Sequence, residues 1–178
     1  MTDGRIAHVT KCEASVGNSF AYVADHRNVP SWMWGVTQFD PIGELDQGVG
    51  ATFDVAVNLG PKTIYLRSLI TDWVEDEQIS MKSIQGVEGT MTWRFDAIDD
   101  ETTAISVDVD YVLPPGIAGK MLKAIIDPAV AVAIRHVEKH LVAEITGVEP
   151  ELVPRSGDGG HKPARSVRHR PRRARSRR

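Results

Sequence analysis

The run IAGKMLKAIIDPAVAVAIRHVEKHLVAEIT, positions 117–146, carries the longest helical pattern in this chain. Leu122, Ile126, Val130, Ile134, Val137, Leu141 and Ile145 recur every three or four residues, so one face is a continuous apolar stripe. Pro114-Pro115-Gly116 closes the segment before it, and Gly147 supplies the stop just past it. Pro128 falls mid-pattern, where its ring and missing N–H predict a kink or a division of the helix. A helix with one apolar stripe has to bury it against another layer, and the preceding residues say which.

Upstream the period changes from helical to two. Phe53, Val55, Val57 and Leu59 alternate with Thr52, Asp54, Ala56 and Asn58, which predicts a strand with one buried face. Runs at 63–74, 78–84, 90–97 and 103–113 behave similarly, separated by Gly60-Pro61, Gly86, Gly89 and Asp99-Asp100-Glu101. Met91, Trp93 and Phe95 share one face, as do Ile105, Val107, Val109 and Tyr111. Short turns at regular spacing predict an antiparallel meander. Further upstream come a first strand over 5–14, a short apolar helix over 19–25, and a return to strand near Val36. Pro30 disfavours helix at Val29. The expectation is an α+β fold: about seven antiparallel strands curved around a long C-terminal helix, with two short helices after the first strand.

Charge divides the chain. Residues 1–154 hold 11 basic and 23 acidic side chains, a balance of −12, whereas 155–178 hold 10 basic and one acidic. The first segment has the size of one domain, 1–154. The second, nearly free of apolar residues, is expected to be a disordered basic tail. Cys12 is the lone cysteine, so an internal disulfide or a cysteine-rich metal site is excluded. The N-terminus lacks the apolar run of a signal peptide, and no apolar stretch reaches the ~18–20 residues of a membrane span. A cytoplasmic protein is expected.

Several segments resemble the START-like polyketide cyclase/dehydrase family (SRPBCC proteins of bacteria). They are VADHRNVPSWMWGV at 23–36, GVGATF at 48–53, TWRF at 92–95 and the closing helix. The most specific feature is Asp25, Asn28, Pro30 and Trp32 after the first helix. The resemblance covers roughly residues 6–145 and implies a helix-grip fold whose sheet and long helix enclose a deep cavity for an apolar or aromatic small molecule. The family has no invariant catalytic motif. On that reading the candidate cavity residues are Phe53, Val55 and Val57; Met91, Trp93 and Phe95; Val107, Val109 and Tyr111; and Met121 and Ile125 of the helix. Trp32 and Trp34 belong at the cavity mouth in the resembled fold.

Other constellations lead nowhere. GVGATF lacks the third glycine and the following helix of a dinucleotide loop and reads as a glycine bend entering a strand. His136 and His140 have the spacing of zinc ligands on a helix, but Val137 stands where a zincin needs glutamate, so both are expected on a solvated flank. His8 and His26 are isolated. Neither a metal nor an organic cofactor is expected. For acid–base chemistry the candidates are Tyr65, Arg67 and Tyr111. The strand over 63–74 has two nearly equally apolar faces. Facing Ile64, Leu66, Ile70 and Val74 inward puts Arg67 in solvent; the reverse parity puts Tyr65 and Arg67 inside.

Three functions follow in order of preference. The first is a carrier or sensor that binds a lipid-like or polyketide-like ligand. The second is an enzyme of cyclase or dehydrase type in the same cavity, with catalysis drawn largely from orientation. The third is an interaction protein whose residues 155–178 make weak, non-specific contact with nucleic acid through phosphates.

Overall fold

In the computed structural model, residues 4–147 are described. The expectations for 148–178, including the basic tail and the end of the domain at 154, lie outside the described residues.

The chain runs β1 (Gly4–Cys12), α1 (Val16–Ala24), α2 (Val29–Trp32), β2 (Val36–Pro41), β3 (Thr52–Asn58), β4 (Thr63–Val74), β5 (Gln78–Gln85), β6 (Glu88–Asp99), β7 (Thr102–Val112) and α3 (Ile117–Thr146). All seven strands form one antiparallel sheet in the order β1-β7-β6-β5-β4-β3-β2. β2 to β7 are a meander, and β1 closes the far edge by pairing with β7, Ile6 opposite Val109 and His8 opposite Val107. The helices α1 and α2 bridge the two edge strands, and α3 packs against β1, α1 and α2. The sheet thus curls around α3, which is the helix-grip arrangement.

Local chemistry sets the element ends. Ser15 caps α1, its Oγ accepting from the Asn18 N–H at 3.3 Å, which satisfies one of the donors a helix start leaves free. Pro30 stands in the first turn of α2, where no intrahelical N–H is needed. Val29 is therefore helical despite the proline after it, contrary to the sequence reading. Gly50, at φ +95°, makes the bend into β3, as the GVGATF pattern predicts. The α3 helix occupies the span expected for it, runs undivided through Pro128, and stops at Gly147 in the left-handed conformation.

The core lies at one end of the grip. Phe20 of α1 wedges edge-on between Trp73 and Phe95, with ring centroids 5.3 and 5.2 Å away. Trp32 meets Trp93 at 5.2 Å, nearly perpendicular. Such edge-to-face pairs add about 0.5–1.5 kcal/mol beyond the area they bury. Leu141 carries α3 into this cluster with no exposure at all. Cys12 is buried here too, and desolvation pushes its thiol up from the ordinary range.

The strand with two apolar faces changes parity along its length. Leu66, Ser68 and Ile70 of β4 point inward, then a bulge between Ile70 and Asp72 shifts the register against β5. Beyond it Trp73 faces the core and Val74 faces out. Both faces read as apolar because each serves as the inner face over part of the strand.

Candidate functional site

Away from the aromatic cluster, sheet and helix part and leave a cavity of about 250 Å³. Ile6 and His8 of β1, Val107 and Val109 of β7, and Met91 and Trp93 of β6 form its floor. Val36, Val57 and Leu59 close one side, with Met33 and Trp34 from the turn after α2. The roof is the middle of α3: Ile126, Ala129, Val130, Ala133, Ile134 and Val137. Ala129 and Ala133 fill little of the gap that the larger apolar residues beside them keep between helix and sheet, and the space is left there. The lining is apolar except at His8.

Of the residues expected in the cavity, Val57, Met91, Trp93, Val107 and Val109 line it. Trp32 is only 1% exposed and belongs to a helix rather than a loop at the mouth; its neighbour two places on, Trp34, reaches the cavity. Phe53 and Trp32 border a separate space of about 30 Å³, one water's worth and too small for an organic ligand. Val55 and Phe95 are fully packed core. Tyr111 lies over Gly4, its cross-strand partner on β1, in space a Cβ there would fill. It faces an adjoining space of about 140 Å³ beside Met91 and Val109.

The two helix residues expected in the cavity lie outside it. Met121 is 65% exposed, and Ile125, half-buried, does not reach the cavity. Each stands one residue from a member of the apolar stripe, and one residue is about 100° of rotation on a helix. The stripe itself, Ile126, Val130, Ile134 and Val137, was the available signal for the roof.

The acid–base candidates on β4 lie outside. Tyr65 is 71% exposed. Arg67 forms a two-pronged ion pair with Asp54 on the neighbouring strand, at 2.8 and 3.1 Å. That contact holds the Asp54 carboxyl below its usual range. The preferred parity for this part of β4 therefore matches the structure, and the alternative that puts Tyr65 and Arg67 in the cavity does not.

The histidines are arranged differently from their expected positions. His136 and His140 are half-buried and stacked, with ring centroids 3.8 Å apart, and His140 Nδ1 lies 2.9 Å from the His136 carbonyl. Burial, then the neighbouring His140, holds the His136 imidazole below its usual range. No cluster able to hold a metal ion occurs among the described residues. His8, isolated in sequence, lies on the cavity wall with Nε2 3.0 Å from Glu138 Oε1 of α3. That contact lacks the alignment of a hydrogen bond, so the sealed nitrogen has an electrostatic neighbour but no bonded partner. Sequence spacing could not have found this pair, since the two residues meet only through the β1–α3 packing.

The architecture defines the class: this is a helix-grip fold, a seven-stranded sheet closed on a C-terminal helix with short helices after the first strand. Its structural neighbours are START and SRPBCC helix-grip proteins. A START superfamily protein from Mycobacterium smegmatis superposes with a TM-score of 0.65 at 15% identity, over 81% of this chain and 98% of that one. The ZhuI aromatase/cyclase from Streptomyces sp. R1128 gives 0.65 at 17%, over 80% and 93%. A protein of Thermus thermophilus gives 0.68 at 14%, over 81% and 98%. No protein-family model matches the chain, and no curated protein sequence matches it. No helix among the described residues is long and apolar enough to cross a membrane.

Proposed function

We propose that this protein binds an apolar small molecule, lipid-like or built from fused rings, in the cavity between sheet and α3, and carries or senses it without turning it over. The observation that supports this most is the cavity itself: about 250 Å³ with an almost wholly apolar wall. Interiors normally pack without voids larger than a water, so the core gives up dispersion contacts here that a ligand restores. An enclosed apolar cavity of about 150 Å³ holds a benzene ring. The space here suits a bicyclic ring system or an acyl chain of similar bulk.

Binding is preferred to cyclase-type turnover because none of the three expected acid–base residues lines the cavity, which leaves His8 as the single ionisable side chain on its wall among the described residues. Tyr65 and Arg67 are on the outer face, and Tyr111 covers Gly4. The test is native mass spectrometry of full-length protein purified gently from its own cells, followed by solvent extraction. One apolar molecule per chain, unchanged on incubation, supports the reading. Ligand-free protein that also fails to take up an apolar fluorescent dye at a single saturable site overturns it.

A further inference from the structure

His8 is the only ionisable side chain lining the cavity among the described residues. It stands on β1 between Ile6 and Thr10 on the inner face, opposite Val107 of β7. The other polar group from the floor is already engaged, the Trp93 indole N–H lying 3.1 Å from Met91 Sδ. The His8 Nε2 is sealed from solvent without a hydrogen-bond partner. Leaving a buried polar atom unbonded costs free energy, and a ligand group that bonded it would recover that cost. Glu138 is the charged group that faces the ring from α3, 3.0 Å from Nε2. An imidazole nitrogen donates or accepts according to its tautomer, so the ring can bond either a hydroxyl or a carbonyl oxygen.

We propose that His8 is the polar anchor of the cavity and Glu138 its selector, so that the ligand is an uncharged apolar ring system carrying one hydroxyl or carbonyl oxygen, not a carboxylate. This rests on the cavity reading above and narrows its ligand class. An oxygen at His8 gains a hydrogen bond that no other lining side chain of the floor offers. A carboxylate brought to the same place meets the negative charge of Glu138 and leaves water for an apolar wall, both unfavourable. A free fatty or aromatic acid is therefore excluded by the same pair that accepts an alcohol, phenol or ketone.

The experiment is equilibrium dialysis of the full chain against naphthalene, 2-naphthol and 2-naphthoate, which share a bicyclic frame. The expected order is 2-naphthol about tenfold tighter than naphthalene, from one hydrogen bond in a dry site, and 2-naphthoate weakest. His8→Leu removes the naphthol preference and keeps naphthalene binding; Glu138→Gln narrows the penalty on naphthoate. If naphthalene binds but the hydroxyl brings no gain, the anchor is wrong and the cavity reading stands. If none of the three binds, both fail. A naphthol preference that survives His8→Leu moves the anchor to another group, such as the Trp34 indole, and overturns the proposal. Should His8→Leu not melt cooperatively, the wild-type order and the Glu138→Gln result decide alone.

Discussion

Filling the void from the helix side separates a ligand cavity from a loosely packed core. Ala133 lies on the roof, half-buried, in the middle of α3. Ala133→Phe delivers one benzene ring into about 250 Å³. Since such a ring occupies about 150 Å³ of enclosed apolar space, what remains is too small for a second aromatic ring. Phenylalanine gives up roughly 0.5 kcal/mol of helix propensity relative to alanine. Burying the ring returns about 1.5–3 kcal/mol, so the variant should melt at or a few degrees above the parent temperature. A bicyclic probe buries about 200 Å², as a tryptophan side chain does. At ~25 cal/mol per Å² that is worth at most about 5 kcal/mol, or a dissociation constant near ~0.2 mM. Excluding the probe removes most of this, so affinity should fall beyond the measurable range. Thermal denaturation and dialysis against naphthalene on the same samples check both halves. A melting temperature lowered by the ~1–3 kcal/mol of an overpacked core would mean the void is not there. Unchanged naphthalene binding would mean the probe sits elsewhere.

Three further outcomes follow from the packing and the charges. Leu141→Ala, at a fully buried position that joins α3 to the aromatic cluster, should destabilise by about 2–5 kcal/mol in a urea titration; a loss below about 1 kcal/mol would show that α3 is not docked there. Burial first, then Glu144, whose carboxylate accepts from the hydroxyl at 3.3 Å, pushes Tyr22 up to about 12. Because the folded value is raised, stability is whole below the ordinary tyrosine value of about 10 and falls as pH rises toward the folded one; ultraviolet titration should show one late tyrosine that disappears in Tyr22→Phe. Asp108 is held below the usual carboxylate range by hydrogen bonds from Arg5 and then Arg94, and Asp25 by Arg27. These lowered values give stability that is whole above about pH 4 and is lost as pH falls through them, so Asp108→Asn should flatten the acid limb of the melting profile; an unchanged limb would remove these pairs from the account.

The helix and the meander were legible because their patterns depend on local geometry alone. Residues 117–146 carry a stripe whose spacing only a helix satisfies, and the observed α3 has those bounds. Alternation in β3, β6 and β7 fixed which side chains share a face, so Met91, Trp93, Val107 and Val109 could be placed together before any contact was known. What alternation could not say is whether an inward residue meets packing or space. Phe95 and Val107 have the same sequence signature, yet Phe95 is pressed against Phe20 while Val107 borders the void. That difference is set by where α1 and α3 cross the sheet.

Local pattern also failed wherever a backbone irregularity or a single helical step intervened. The bulge after Ile70 turned Trp73 inward and Val74 outward, and a one-residue offset on α3 put Met121 in solvent. His8 and Glu138 lie 130 positions apart and carry no mutual signal in the chain. By itself the sequence determined the elements, their order and the buried face of β3, β6, β7 and α3, because these follow from periodicities of 2 and 3.6 in a single chain segment. Only the tertiary structure decided where the cavity opens and which polar group enters it. Those depend on the distance between α3 and the sheet, which the sizes of side chains from several elements fix together.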